Sequence, residues 1–317
     1  MQRVLSRRIT TFVVLPIILI CTSAASETRI LLVGDSWAQS IWVTGLLDKA
    51  LADASYENVF SAGDTTALGG TRADQWITPE YRKKIQQALA TNPTVDIIYL
   101  IIGGNDVLRR IRDTNVFENQ TDEQRHREWD AIARNIRRIV TYCLEYEQIR
   151  HVVLAGYDYL NPKTAKEVFE LLGQDFHFGG MTQEQVNACF IEHERRKRDV
   201  AHDLAGCTYI HNLGLMHYHF NEPPDVSPPG GPPDYDPFPG GDPTRPMPDK
   251  AFPSVALAGN NYPGDGIHPN EEAHLIMLQN AITTAIGPLL EESADPLTSN
   301  TTAADSAVEN VLWDVRK

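Results

Sequence analysis

Short apolar runs that end at glycine alternate along this chain with longer segments of helical period. Residues 29–33 (RILLV) stop at Gly34 and read as a buried strand, and residues 38–54 follow as a helix. A weaker strand is expected at 58–62. Thr78-Pro79-Glu80 has the form of a helix start, Thr as cap and Pro in first position, with the helix running to about residue 90. Residues 95–102 (VDIIYLII) are the most strand-like run, bounded by Asn92-Pro93 and Gly103-Gly104. Thr121 to Gln124 fits a capping box, behind which Trp129, Ile132, Ile136, Ile139, Val140 and Cys143 repeat at helical spacing. A strand at 151–155 (HVVLA) follows. A second capping box, Thr182 to Gln185, opens a charged helix to about residue 204. A last strand is expected at 207–211 and a closing helix at 270–286.

Apolar strands alternating with helices predict a parallel sheet covered on both faces, and hence an α/β chain of three layers, α/β/α. In such a sheet the crossovers are right-handed and ligands sit at the carboxyl ends of the strands.

Two segments break the alternation. Residues 221–250 hold eleven Pro and four Gly, which excludes regular structure and leaves a solvated loop or a wall over a site. Residues 291–317 are polar and rich in small residues, and read as a loosely held tail.

The first 25 residues stand apart. Arg3, Arg7 and Arg8 precede the apolar stretch 11–21, and small residues 22–26 close it. These are the parts of a secretory signal, and the stretch is shorter than the roughly 20 residues of a membrane-spanning helix. The expected organisation is a signal peptide at 1–25, a single domain at 26–290 carrying the 221–250 insertion, and the tail at 291–317. The expected location is secreted or periplasmic, with no stable membrane insertion once the signal is gone.

The whole chain of 317 residues carries 42 acidic against 28 basic residues, a formal charge of −14. Loss of the signal would remove three Arg and no acid. Such a surface repels phosphate, so no nucleic-acid partner is expected. Export implies an oxidising compartment. Of the cysteines that remain, Cys143 belongs to an apolar helix face, while Cys189 and Cys207 could pair. No spacing suggests a structural zinc site. His217, Tyr218 and His219 read as a surface patch, since a metal needs three or four converging ligands. Nothing in the sequence specifies an oligomeric state.

Three blocks at strand ends carry candidate chemistry. Gly34-Asp35-Ser36-Trp37 puts a serine where a helix begins, although Ser and Asp are also ordinary caps. Gly103-Gly104-Asn105-Asp106 combines a sharp turn with an amide donor. Asp265-Gly266-Ile267-His268-Pro269 puts a carboxylate three residues before a histidine, near enough to hold the imidazole N–H and set its tautomer. Together they supply a nucleophile, a base with its orienting group and an amide donor, the set required for acyl transfer through serine. No Gly-x-Ser-x-Gly elbow surrounds Ser36.

The three blocks, in this order, resemble those of the SGNH (GDSL-type) hydrolases over residues 29–288. That resemblance implies a flavodoxin-like sheet and an esterase with no metal or cofactor. It implies Ser36 as nucleophile, His268 as general base and Asp265 as its partner. It also implies an oxyanion hole made of the Ser36 N–H, a glycine N–H and the Asn105 side chain. Gly70 is the first choice for the glycine and Gly63 the second. Trp37 stands where the family has leucine, which bears on the size of the substrate and not on the mechanism. The expected substrate is a small acyl ester, for example acetyl on carbohydrate, with Trp37 and Trp42 available to stack on a sugar or line an acyl pocket. A lipid esterase, thioesterase or acyltransferase on the same fold, or a binding module without turnover, are the rival readings.

Overall fold

The computed structural model describes residues 26–294 except 113, 223–236, 253–254, 258–259 and 263, and the side chains of 255–257 and 260–262. The expected signal peptide, most of the tail and the front half of the insertion lie outside the described residues.

Five strands, β1 (Glu27–Gly34), β2 (Val59–Ala62), β3 (Ile97–Ile101), β4 (His151–Ala155) and β5 (Cys207–Ile210), form one sheet in the order β2-β1-β3-β4-β5. Every pair is parallel. A two-stranded antiparallel pair, β6 (Val255–Leu257) and β7 (Asn260–Tyr262), stands apart. The helices are α1 (Ser36–Thr44), α2 (Leu46–Asp53), α3 (Ala73–Trp76), α4 (Pro79–Thr91), α5 (Gly104–Ile111), α6 (Val116–Asn119), α7 (Asp122–Leu144), α8 (Pro162–Leu171), α9 (Gln183–His202), α10 (Leu215–Phe220), α11 (Glu271–Ala281) and α12 (Gly287–Ala294).

The layers follow from the handedness of the crossovers. From β1 the chain steps one way to β2, so α1 and α2 pack on one face, where α11 joins them. It then crosses back and proceeds through β3, β4 and β5, so α4, α7 and α9 pack on the other face. The direction reverses between β1 and β3. In an open parallel sheet this is where a crevice forms beyond the carboxyl ends of the strands. All five residues of β3 are buried, as a strand covered on both faces requires.

Both expected capping boxes are present, at Thr121 with Gln124 and at Thr182 with Gln185. The helix expected over 38–54 is two helices. Gly45, at φ 66°, takes the left-handed conformation and its N–H closes on the carbonyls of Ile41 and Trp42, ending α1. The closing helix runs on through a π-helical turn at Ile282–Ile286 into α12, four residues past the domain end expected at 290. Trp76 and Trp129 are core residues. Cys143, Cys189 and Cys207 are free thiols, so Cys189 and Cys207 do not pair.

The rear half of the proline-rich insertion is packed against the domain. Met247 is fully buried, and the carbonyl of Gly240 accepts from the Tyr159 hydroxyl at 3.0 Å. His217 is correspondingly not a surface residue. It is 1% exposed, donates from Nε2 to the carbonyl of Pro246 at 2.6 Å and accepts at Nδ1 from the Asp242 N–H at 3.2 Å. Held at both ring nitrogens, it braces α10 against the returning insertion. Tyr218 is exposed, and His219 reaches Glu272 at 3.5 Å. Among the described residues no His, Cys, Asp and Glu group has the arrangement of a metal site.

Candidate active site

β1 ends at Gly34, whose φ of +147° and position against β3 exclude a side chain: an added Cβ would lie 1.9 Å from the Ile101 carbonyl oxygen. The strand therefore turns sharply, and Asp35 caps α1 by accepting from the Trp37 N–H at 3.1 Å. Ser36 is the first residue of that helix. Its N–H has no preceding turn to accept it and is free for a ligand.

His268, with Asp265 behind it, meets Ser36 from 232 residues away in sequence. The Ser36 hydroxyl lies 2.7 Å from Nε2 of His268, and Nδ1 of His268 lies 2.5 Å from Oδ2 of Asp265. The other carboxylate oxygen of Asp265 accepts the backbone N–H groups of Ile267 at 2.9 Å and His268 at 2.7 Å. Burial pushes the Asp265 carboxyl up, but the hydrogen bonds and charge of His268 outweigh it and hold the acid below its usual range. Asp265 is thus an ionised acceptor and fixes the proton of His268 on Nδ1, leaving Nε2 free to accept from serine. Burial likewise pulls His268 down, and Asp265 outweighs it, with Asp35 adding to the effect, so the imidazole stands above its ordinary value.

The loop carrying His268 is tied at two points. The Trp37 indole donates to the Ile267 carbonyl at 3.1 Å, and the Asn161 N–H donates to the Gly266 carbonyl at 2.9 Å. Trp37 is buried, with its ring edge-on to Tyr157 and His274, and so is not available to a substrate. Trp42 is half-buried and packs against the core and Gly63. The expectation that these two tryptophans meet the substrate gives way to Phe169 and Phe176, stacked at 4.5 Å, which line the cleft.

The candidate oxyanion donors come together through the 66–73 segment. Gly34 donates to the Thr66 carbonyl and accepts from Leu68 N–H, and the Thr71 hydroxyl reaches the Gly34 carbonyl at 3.2 Å. On the other side, Asn105 donates from Nδ2 to the Thr71 carbonyl at 3.1 Å, and the Asp106 carboxylate accepts the Ala73 N–H at 2.8 Å. Gly70 and Asn105 consequently line the same cleft as Ser36 and His268, a space of ≈ 450 Å³. Gly63 does not line it: an added Cβ there would meet Leu32 and Trp42 in the core. No described residue of the 221–250 insertion lines the cleft either.

Beneath the nucleophile lies a buried polar network that the sequence did not reveal. Tyr157 donates to Oδ2 of Asp35 at 2.5 Å, and burial pushes the Asp35 carboxyl up to about 6. The Lys197 ammonium sits 4.6 Å from the centre of the Tyr157 ring and donates to the Ala155 carbonyl at 2.6 Å and to Glu194 at 3.1 Å. Glu194 in turn accepts from Tyr209 at 2.8 Å. Burial drives Glu194 upward and Lys197 downward. The many charged residues of α9 give no hint, taken as composition, that any of them faces inward. The signal is in their phase: Val186, Phe190, His193, Lys197 and Val200 share one helical stripe.

No family model matches the chain, and no curated protein does. Among solved structures the chain is similar to an acetyl xylan esterase of Geobacillus stearothermophilus, at 12% identity and a TM-score of 0.43 over 81% of this chain and 94% of that one. It is similar to a carbohydrate acetylesterase of Sinorhizobium meliloti at 16% identity and a TM-score of 0.42, over 83% and 100%. A carbohydrate esterase of Talaromyces cellulolyticus gives 12% identity and a TM-score of 0.44, over 84% and 97%. Likenesses this distant carry nothing about chemistry, and the functional reading rests on the geometry.

Proposed function

We propose that the protein is a serine ester hydrolase of the SGNH (GDSL-type) kind. The observation that carries the reading is the hydrogen-bonded series from Ser36 through His268 to Asp265, opening into a cleft with Gly70 and Asn105. Ser36 Oγ attacks the acyl carbon while Nε2 of His268 takes its proton, and Asp265 stabilises the imidazolium. The carbonyl oxygen gathers negative charge against the N–H groups of Ser36 and Gly70 and the Asn105 amide, each such donor typically lowering the barrier by about 3 kcal/mol. His268 then protonates the departing alcohol. Water, deprotonated by the same imidazole, attacks the acyl-serine, and the imidazolium returns the proton to Ser36 Oγ as the acyl bond breaks and the acid leaves. These steps need only the chain's own groups.

The substrate is a small acyl ester, with acetyl on carbohydrate as the class proposed, acting outside the cytoplasm. Phe169 and Phe176 give the cleft the aromatic wall on which a sugar face packs. The test is covalent labelling by a fluorophosphonate probe, followed by an ester panel running from acetylated xylan to long-chain acyl esters. Wild type should label and hydrolyse short-chain esters, and Ser36→Ala should do neither. Unlabelled, folded wild type, or equal turnover by Ser36→Ala, would overturn the assignment.

A further inference from the structure

The helix that begins beside the candidate oxyanion donor continues along the cleft as a graded polar wall. Asn105, Leu108, Arg109 and Arg112 all line it, the spacing i, i+3, i+4, i+7 that puts residues on one helical face. With a rise of 1.5 Å per residue, Arg109 stands about 6 Å beyond Asn105 along the axis and Arg112 about 10 Å. Arg72 adds a third guanidinium from the facing segment. Among the described residues no aspartate or glutamate lines this space, although Asp74, Asp106 and Glu128 line an adjoining one that shares Arg72 and Arg109. In a chain of formal charge −14 three arginines thus face this cleft.

The arginines differ in the contacts that hold them. Arg110, on the adjacent face of α5, reaches Glu128 at 3.4 Å. Arg72 pairs with Asp74 at 3.1 Å. Arg112 donates to the Asp175 carbonyl at 3.2 Å and lies over the Phe176 ring at 5.1 Å, which orients its guanidinium. Arg109 is exposed to solvent and has neither a hydrogen-bond nor an ion-pair partner among the described residues.

We infer that the substrate carries an anionic group, carboxylate or phosphate, set about 6–10 Å from the scissile carbonyl and bound by Arg109 and Arg112. This deepens the esterase reading and rests on it for the position of the carbonyl. A guanidinium fork takes either oxyanion bidentately, while the two stacked phenylalanines take the ring or chain between ester and anion. Long-range repulsion from the acidic surface disfavours anions in general, so the cleft selects those long enough to span from Ser36 to the arginines.

The experiment compares 4-acetoxybenzoate with its neutral methyl ester in wild type, Arg109→Gln and Arg109→Gln/Arg112→Gln. Intrinsic reactivity cancels when the anionic-to-neutral ratio of kcat/KM is compared between proteins. The ratio should fall at least tenfold in the double variant, mostly through KM, and should fall in wild type as NaCl rises from 20 to 500 mM. A ratio unchanged within twofold would overturn the inference. Binding of 4-acetamidobenzoate against 4-acetamidobenzamide, read by calorimetry, separates the two proposals because neither compound contains an ester. Tighter binding of the anion that vanishes in the double variant, without hydrolysis of either acetoxy ester, would keep the anion site and sink the esterase. Hydrolysis with no anion advantage in either assay would do the reverse. Replacing the carboxylate by phosphate, as in 4-acetamidophenyl phosphate, identifies which oxyanion is preferred.

Discussion

The hydroxyl of Tyr157 donates to the carboxylate of Asp35 at 2.5 Å, joining the residue just past β4 to the residue just before the nucleophile. Both are buried, and among the described residues the only other donor to that carboxylate is the Trp37 N–H. Tyr157→Phe keeps the ring but leaves a buried acceptor without its partner, at a cost of about 1–3 kcal/mol. The Asp35 carboxyl already stands at about 6, above the value near 3.8 in an unfolded chain. Its ionisation therefore opposes folding above that pH, and the opposition fades as acid protonates it. The loss in Tyr157→Phe should thus be larger at pH 8 than at pH 5, as read by urea unfolding at each pH. An equal loss at both would mean that the carboxylate is not what the phenol supports.

Trp37 acts on the opposite side of the same turn. Trp37→Phe retains an aromatic ring against Tyr157 and His274, removes the N–H that holds the Ile267 carbonyl and leaves a small void in the buried site. One hydrogen bond of this kind is worth about 1 kcal/mol. The expectation is a several-fold loss in kcat and in the fluorophosphonate labelling rate, with KM little changed and the melting temperature lowered by a few degrees. A fall in KM-borne binding alone would return the tryptophan to the substrate pocket.

Asn105 has two uses for its amide, one toward the Thr71 carbonyl and one toward the cleft. Asn105→Ala should lower kcat by roughly 10²–10³ with a smaller change in KM, since the donor matters most once the carbonyl oxygen is charged. Steady-state kinetics on a short acyl ester check this. Loss confined to KM would place the amide in ground-state binding.

What the sequence made legible is what periodicity and local geometry encode. Runs such as 151–155 can only be buried strands, and a carboxylate three residues before a histidine within one turn must lie close to it. The meeting of Ser36 with His268 was readable only through the order of the blocks. The roles of Trp37 and His217 were misread because their environments are made by distant segments: the loop at 265–268 covers one, and the returning half of the proline-rich insertion covers the other. Lys197 and Glu194 were hidden by composition, since a run of charges on α9 conceals which turn faces inward. The α5 helix carries no such signal: Gly103-Gly104-Asn105-Asp106 marks the bend at its start and gives no sign of the helix beyond it.

The pH dependence of turnover follows from His268. Catalysis requires its neutral form, and Asp265 raises the imidazole above the ordinary value near 6.5. The acid limb of kcat/KM should therefore have its midpoint above 6.5, with activity lost as pH falls through it. Asp265→Asn should move that midpoint down and reduce kcat by roughly 10³–10⁴, by analogy with serine proteases of unrelated fold. The measurement is a pH–rate profile of both proteins on one ester. A midpoint at or below 6.5 in wild type would mean that the buried carboxylate does not hold the proton on His268.

His274 predicts a different pH dependence, that of stability. It is fully buried beside Trp37, neither ring nitrogen has a hydrogen-bond partner among the described residues, and burial followed by the nearby His268 lowers it to about 3. Between that value and 6.5 the unfolded chain binds a proton that the folded chain refuses, so stability is lost as pH falls below 6.5. Each pH unit costs about 1.4 kcal/mol, or roughly 3 kcal/mol between pH 6.5 and pH 4. His274→Leu, close in volume and without a charge to refuse, removes this dependence. The difference in unfolding free energy between variant and wild type should accordingly shift in the variant's favour by about that amount over the interval, whatever its offset at neutral pH. Other groups, including His193 and Asp35, titrate in both proteins and drop out of the difference. A difference that stays level from pH 6.5 to pH 4 would mean that His274 finds a proton acceptor within the folded protein.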